Sequence, residues 1–585
     1  MKSVTALILL AVFVQVPVRA QTEGPIPSPK HEFRSAWLTT AGAMDWPRGT
    51  TAAAQELSLR NIIRNMKAMG MNAVVFQAMP RGDAFYQSER LPWSMRLSGT
   101  VGQDPGWDPL AVAIEEAHRL GMELHAWYNV FRVGNIDMPD VADSDEPRHV
   151  YFENPEYVVT IDGNQLWLNP GMPEVRNWVI ANVMEIVRNY DVDAIHFDFI
   201  RYGANGYPGD AELRDEQDPG MNLDAWRRES VSRFAIAAYD SVKAEKPRVK
   251  IGSAPFGHYD ATGGWPAALS YYQYFQDSRR WLEEEKHDYL APQVYWDIGT
   301  NCGPRFDWLV HDWVDNNFGR HIYIGTGPYQ CGVLDELPQQ IDSTRAIGAE
   351  GQMHFRYDII AANPFGSRYG QPALVPSMGW MDQTEPTAPV DLSYRWLDDD
   401  TTVVEISWSD ATATAEVTDP RRYAVYRVQS EEPPAVDEMI LDPANLIAVT
   451  GETAFLDERS DRTNHYYVTS LSTNWIESTG GEIISVEGRL VSSERELPVA
   501  FELKQNYPNP FNPTTVIEYT VDRPGEVLLR VFNVLGQEVA VLEKGTMPAG
   551  SHTVRFDARD LASGTYFYVL EAGGRTAARA MMLLK

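Results

Sequence analysis

Three aspartates stand where an apolar run gives way to a turn-rich stretch: Asp198 in HFDFIRYG, Asp297 in YWDIGTN and Asp83 in RGDAFY. Aspartate is disfavoured in strands and costly to bury unless it is paired or has a task. Carboxylates at such positions serve as general acids, bases, nucleophiles or metal ligands. Structural readings stand beside these: Asp83 and Asp297 as caps of a turn or helix, and Asp198 as the partner of Arg201 or Arg34. Strand alternation places His196 and Asp198 on one side and Ile195, Phe197 and Phe199 on the other. The same period groups His125, Trp127 and Asn129 on one segment, and Gln293, Tyr295 and Asp297 on another, while His354 or Tyr357 ends a further one. His125, His196 and Asp198 are the residue types of a metal-dependent hydrolase such as a deacetylase. The histidines, however, are scattered singly without ligand spacing, so no metal and no cofactor is predicted.

The elements that must hold these residues alternate between short apolar runs and amphipathic segments. Strands are predicted at 32–40, 72–79, 123–131, 193–200, 250–256, 289–296, 321–327 and 351–357, with helical stretches between them, several ending in Gly. Eight βα units in succession predict a (β/α)8 TIM barrel over 30–380, with the site at the C-terminal strand ends. No Gly-rich phosphate loop follows any strand, which disfavours an open doubly wound sheet. On this plan Asp198 faces the barrel mouth, with His196 inward and Phe197 and Phe199 toward the helices.

The chain has 585 residues, and its 50 Lys plus Arg against 81 Asp plus Glu give a formal charge of −31. With no basic block, nucleic acid and anionic membranes are poor partner candidates. The opening MKSVTALILLAVFVQVPVRA reads as a signal peptide, residues 1–20, and no later run spans a bilayer, so a secreted or cell-surface protein is expected. The two cysteines, Cys302 and Cys331, follow the sixth and seventh predicted strands. In an exported chain they are expected to form a disulfide worth about 3 kcal/mol, tying two mouth loops together.

After the Pro-containing DQTEPTAPVDL the period changes to strands alone. TTVVEISWSD, RRYAVYRV, TAFLDE and HYYVTSLS resemble a fibronectin type III sandwich over 387–487, expected to act as a spacer or weak binding module. FELKQNYPNPFNPTTVIEYTV, VLLRVFNVLGQEVAVL and SGTYFYVLEAGG, within 501–585, closely resemble the type A C-terminal sorting domain of the type IX secretion system. That resemblance implies a second small β-sandwich and the type IX machinery as partner.

EFRSAWLTTAGAMDWP, NAVVFQAMPRGDAFYQSERLPWS, HAWYNVFRV, AIHFDFIRYG and YLAPQVYWDIG, in this order, resemble glycosyl-hydrolase-like family ten. The resemblance implies an exported barrel that hydrolyses a polysaccharide or cell-wall (peptidoglycan) glycan. Family members often carry a second acid after the fourth-strand Asp, where this chain has Phe199. Another group of barrel glycosidases places aspartates at the fourth and sixth strands. By that likeness Asp198 is the nucleophile or base and Asp297 the general acid, with Asp83 as the competing acid. Carboxyls about 5 Å apart would retain configuration and those about 6.5–9.5 Å apart would invert it. His125, Trp127, Asn129, His196, Arg201, Tyr202, Tyr295, Trp296 and Tyr357 are the expected substrate contacts. Trp37, Trp46, Trp93 and Tyr128 are further candidates for sugar platforms. A barrel that binds glycan without turnover is the alternative function.

Overall fold

The structure, a computed structural model, describes residues 26–260, 269–299, 303–330, 332–397, 403–410, 422–458, 462–488, 501–533, 537–548, 550–573 and 575–585. The predicted signal peptide and both cysteines, Cys302 and Cys331, lie outside the described residues.

Eight strands form a closed parallel barrel: β1 Phe33–Leu38, β2 Ala73–Met79, β3 Glu123–Asn129, β4 Ala194–Asp198, β5 Lys250–Ser253, β6 in two pieces (Tyr289–Leu290 and Gln293–Val294), β7 His321–Thr326 and β8 Gly351–His354. Each pairs with the next, and β8 returns to β1 with Phe33 opposite Gly351 and Ala36 opposite His354. The outer layer includes α1 Ala52–Ala68, α2 Pro109–Arg119, α3 Pro173–Asn189, α4 Leu223–Glu245, α5 Ser278–Glu283, α6 Phe306–Asp315 and α7 Val333–Ile347. Local chemistry sets their ends. Thr51 caps α1 and Asp108 caps α2, each through a side-chain oxygen accepting a backbone N–H, and Gly348, at φ +97°, closes α7.

Parity holds as predicted through most of the barrel. Ile195 and Phe197 pack in the helix-facing core, while Phe33, Trp37, Val75, Trp127, Tyr289 and Tyr323 fill the interior. Gly252 makes room for this filling, since a Cβ there would sit 2.0 Å from the Tyr289 ring. Beyond the end of β4, Phe199 turns left-handed at φ +52°, and its ring packs edge-on to Trp167, a member of the helix-facing core, with centroids 5.7 Å apart.

The second module is a three-on-four antiparallel sandwich. Strands β9 Val390–Trp396, β10 Val403–Ser409 and β13 Ala454–Glu458 make one sheet, ordered β9-β10-β13. Strands β11 Arg422–Gln429, β12 Leu446–Thr450, β14 Asn464–Leu471 and β15 Ile484–Val486 make the other, ordered β12-β11-β14-β15. A short helix, Val436–Leu441, interrupts the all-strand pattern the sequence suggested.

The structure does not support the spacer reading of this module. Ala424, Tyr426, Leu446, Val449, Leu471 and Trp475 share one buried cluster with the interior residues at the barrel floor. The Trp475 indole N–H donates to Glu123 at 2.6 Å, and Arg422 donates to Asp193 at 2.6 Å. Residues 490–585 form a separate compact unit, in which strands between Glu502 and Leu583 make a three-stranded and a four-stranded antiparallel sheet around a core of their own.

Candidate active site

Asp198 ends β4 at the barrel mouth, in register with Asn129 at the end of β3. It is only 7% exposed. Its Oδ1 accepts the Phe199 N–H at 2.7 Å and, at a long 3.4 Å, the Gln293 side-chain amide. Arg201 stands 3.7 Å away, closer to a charge contact than to a hydrogen bond. Burial pushes the Asp198 carboxyl above its ordinary range, against Arg201, the Phe199 N–H, Arg132 and Gln293, which favour the ionised form. The left-handed Phe199 supplies the short backbone donor. A non-glycine residue held in that region next to a buried acid is the kind of local strain that gathers at functional sites.

A small antiparallel sheet inserted after β3, made of Arg132–Asn135, Val158–Ile161 and Gln165–Leu168, forms one wall of this mouth. It carries Arg132 and Trp167. The guanidinium of Arg201 lies over Phe199 at 4.5 Å and Phe256 at 4.3 Å, and that of Arg132 lies over Phe199 at 5.4 Å. Gly203 completes the motif for a steric reason: a Cβ there would meet the Trp167 ring at 2.4 Å. Arg132, Trp167 and Phe256 were missed as site residues. The hairpin VVTIDGNQLWL was legible, because Asp-Gly between alternating apolar residues is a strong hairpin signal.

The predicted contacts divide. Asn129, Arg201 and Tyr295 are at the mouth. Asn129 accepts the Trp127 indole N–H at 2.8 Å and donates to the Pro80 carbonyl at 2.6 Å, so Trp127 acts below it as a buried prop. Burial first, then Tyr329 and Asp198, raise the Tyr295 hydroxyl well above its ordinary range, which places it in the field of Asp198. Trp296 is half-buried and packs against the helix-facing core.

His125 and His196 lie lower, in the filled interior, with both ring nitrogens engaged. The Trp37 N–H donates to His196 Nε2 at 3.0 Å, which leaves His196 Nδ1–H to donate to Tyr289 at 3.1 Å. The Tyr289 hydroxyl then donates to His125 Nδ1 at 2.8 Å, and His125 Nε2–H donates to Glu123 at 2.8 Å. Burial, with His125 and His287 nearby, keeps His196 neutral. The proposed metal set of His125, His196 and Asp198 therefore does not converge. Tyr202 and Tyr357 also miss the mouth. Tyr202 is fully buried against Tyr207 and Phe275, and the Tyr357 hydroxyl accepts from Asn65 on α1. His354 points outward and donates to or accepts from Thr326 and Tyr369.

The remaining aromatic candidates also pack rather than line the mouth. Trp37 and Trp46 are buried, Tyr128 is buried and accepts from Asn182, and Trp93 is half-buried against the core. Arg34 pairs with Glu32 beneath the barrel, not with Asp198.

Asp83 is 2% exposed behind the mouth loop, where its Oδ1 accepts the Arg81 N–H at 3.1 Å. Burial raises its carboxyl to about 6, with Ser94 and Arg81 opposing and Asp140 adding to the rise. Asp140 bridges Arg81 and Arg96. Asp297 is buried in the loop between β6 and α6. Its carbonyl accepts the Phe306 N–H at the start of α6, and the next amide, of Ile298, donates to Glu336 on α7.

A closed parallel barrel with a poorly satisfied acid among aromatic and cationic side chains at its C-terminal mouth defines the class: a barrel with a polar site at its strand ends. Residues 32–341 match the family described as Glycosyl hydrolase-like 10, and the chain belongs to that family. It is 33% identical over 506 residues to "Glycosyl hydrolase YngK" of Bacillus subtilis, covering 80% of this chain and 94% of that protein. It is 31% identical over 371 residues to "Glycosyl hydrolase DigH" of Escherichia coli K12, covering 56% and 83%. Residues 505–583 match the family described as Secretion system C-terminal sorting domain. Among solved structures, an alpha-L-fucosidase isoenzyme 2 from Paenibacillus thiaminolyticus aligns with a TM-score of 0.40 at 12% identity, over 90% of this chain and all of that one.

Proposed function

We propose that the protein is an exported glycoside hydrolase acting on a polysaccharide or cell-wall glycan, with Asp198 as nucleophile or base. The observation that carries this reading is the state of Asp198: buried at the mouth, held by one short backbone bond, and left with weak side-chain partners. A purely structural carboxylate at this depth would be fully paired. Arg201, Arg132 and Gln293 oppose the rise that burial imposes and favour the ionised form, the form a nucleophile or base requires.

The second carboxylate is assigned to Asp297, with Asp83 competing. Asp83 has the raised protonation range of an acid, but its hydrogen bonds hold its own loop. An activated aryl glycoside separates the two, because a good leaving group needs little protonation. The acid is the residue whose Asn variant regains turnover on that substrate. The sandwich reads as fibronectin type III-like from its three-on-four strand order, and the C-terminal unit as the address for type IX export to the outside or the cell surface.

Asp198→Asn is expected to lower hydrolysis of the best substrate in a glycan panel by at least about 10³-fold while the fold is kept. Turnover within tenfold of the parent would refute the role. Binding of glycan by the parent without any turnover would favour the non-catalytic alternative.

A further inference from the structure

Two guanidinium groups at the mouth, those of Arg201 and Arg132, share Asp198 as their acidic neighbour. Arg201 is 8% exposed, and its Nη1 is buried without a hydrogen-bond partner. Its nearest carboxylate is Asp198 at 3.7 Å, too long to satisfy that nitrogen. Arg132, on the inserted sheet, donates to Asn135 at 3.2 Å and has no ion-paired carboxylate among the described residues. Both guanidinium groups lie over the ring of Phe199. Arg81, whose charge also reaches Arg132, is already paired with Asp140. Asp198 is thus the carboxylate whose charge acts on both guanidinium groups, in an aromatic-walled setting. The two cations run against the general character of a chain whose formal charge is −31.

An unpaired, pre-ordered guanidinium in such surroundings is the arrangement that recognises a carboxylate through charge-assisted hydrogen bonds. The stacking on Phe199 and Phe256 fixes the plane of Arg201 beforehand, which lowers the ordering cost on binding. We propose that Arg201 and Arg132 form a carboxylate-recognition subsite beside Asp198, so that the glycan cleaved here carries an acidic sugar at the unit bound next to the reacting centre. The proposal rests on the hydrolase reading for the identity of the reacting centre, but not for the binding it asserts. Two sources offer this chemistry: hexuronates, with the acid on C6, and sugars bearing an ether-linked lactyl group, with the acid on O3.

The test compares each acidic glycan with its carboxyl-reduced counterpart, in which the acid has become a hydroxymethyl group and the linkages are unchanged. Binding is measured first, on the full-length Asp198→Asn protein, so that the outcome does not depend on turnover. Oligosaccharides of one of the two acid classes should bind at least about 30-fold more tightly than their reduced forms, the preferred class identifying the source. Adding Arg132→Gln should bring that ratio to within about threefold of one, and Arg132→Lys should recover part of it. Equal binding of acidic and reduced forms in both classes would overturn the proposal, as would a preference that survives Arg132→Gln in a protein whose melting temperature matches its parent. Turnover by the wild-type protein on the preferred class, with the same ratio in kcat/KM, tests the hydrolase reading separately. Acid-selective binding with no turnover would sink that reading and leave the subsite standing.

Discussion

The two ends of the barrel treat buried charge in opposite ways. At the floor, Glu123 accepts from Trp475, His125 and Lys250, and Asp193 accepts from Arg422, His118 and the Leu124 N–H. Burial alone would raise both carboxyls. Lys250 and His125 hold Glu123 below its ordinary range instead, and Arg422 and His118 do the same for Asp193. At the mouth, Asp198 is just as deeply set but stays above its range, because its cationic partner stands off and its amide partner is long. A fully paired buried acid holds a structure together, whereas an under-paired one is available to react.

Breaking the floor should cost the most stability. Arg422→Met leaves Asp193 charged and buried with His118 as its remaining side-chain partner, and urea unfolding should show a loss of about 3–5 kcal/mol. A loss below about 1 kcal/mol would mean that Arg422 does not carry the floor.

The rim, between the two ends, has its own signature. Asp83 titrates from an ordinary value of 3.8 unfolded to about 6 folded, so the folded state holds the extra proton between those values. Stability relative to Asp83→Asn is therefore fully present below about pH 4 and falls as pH rises through 6, by about 3 kcal/mol in total. Melting temperatures of the two proteins across pH 4 to 7 would show this, and parallel curves would refute it. The mouth should respond least. Asp198→Asn, for all its expected effect on turnover, should change unfolding free energy by no more than about 1 kcal/mol, with stabilisation the favoured direction. A loss beyond about 2 kcal/mol would place Asp198 with the floor carboxylates.

The barrel was legible because strands buried on both faces read as continuous apolar runs, and all eight were located. Parity along a strand told which residues point inward but not at what height. His125 and His196 were therefore read as mouth residues, although they belong to the filled interior. The left-handed turn at Phe199 has no signature in residue type, so its packing on Trp167 could not be read, although the hairpin that carries Trp167 could. The segment that contains Trp475 was read as a spacer or weak binding module, because nothing local marks a contact made 352 positions away.

That distance bears on how the chain folds. Arg422 and Trp475 reach partners 229 and 352 positions upstream, so two acids within the barrel lack their full complement until the chain exists as far as Trp475. The barrel floor is therefore completed only when the sandwich has docked on it. Contacts of such long sequence separation make folding slow.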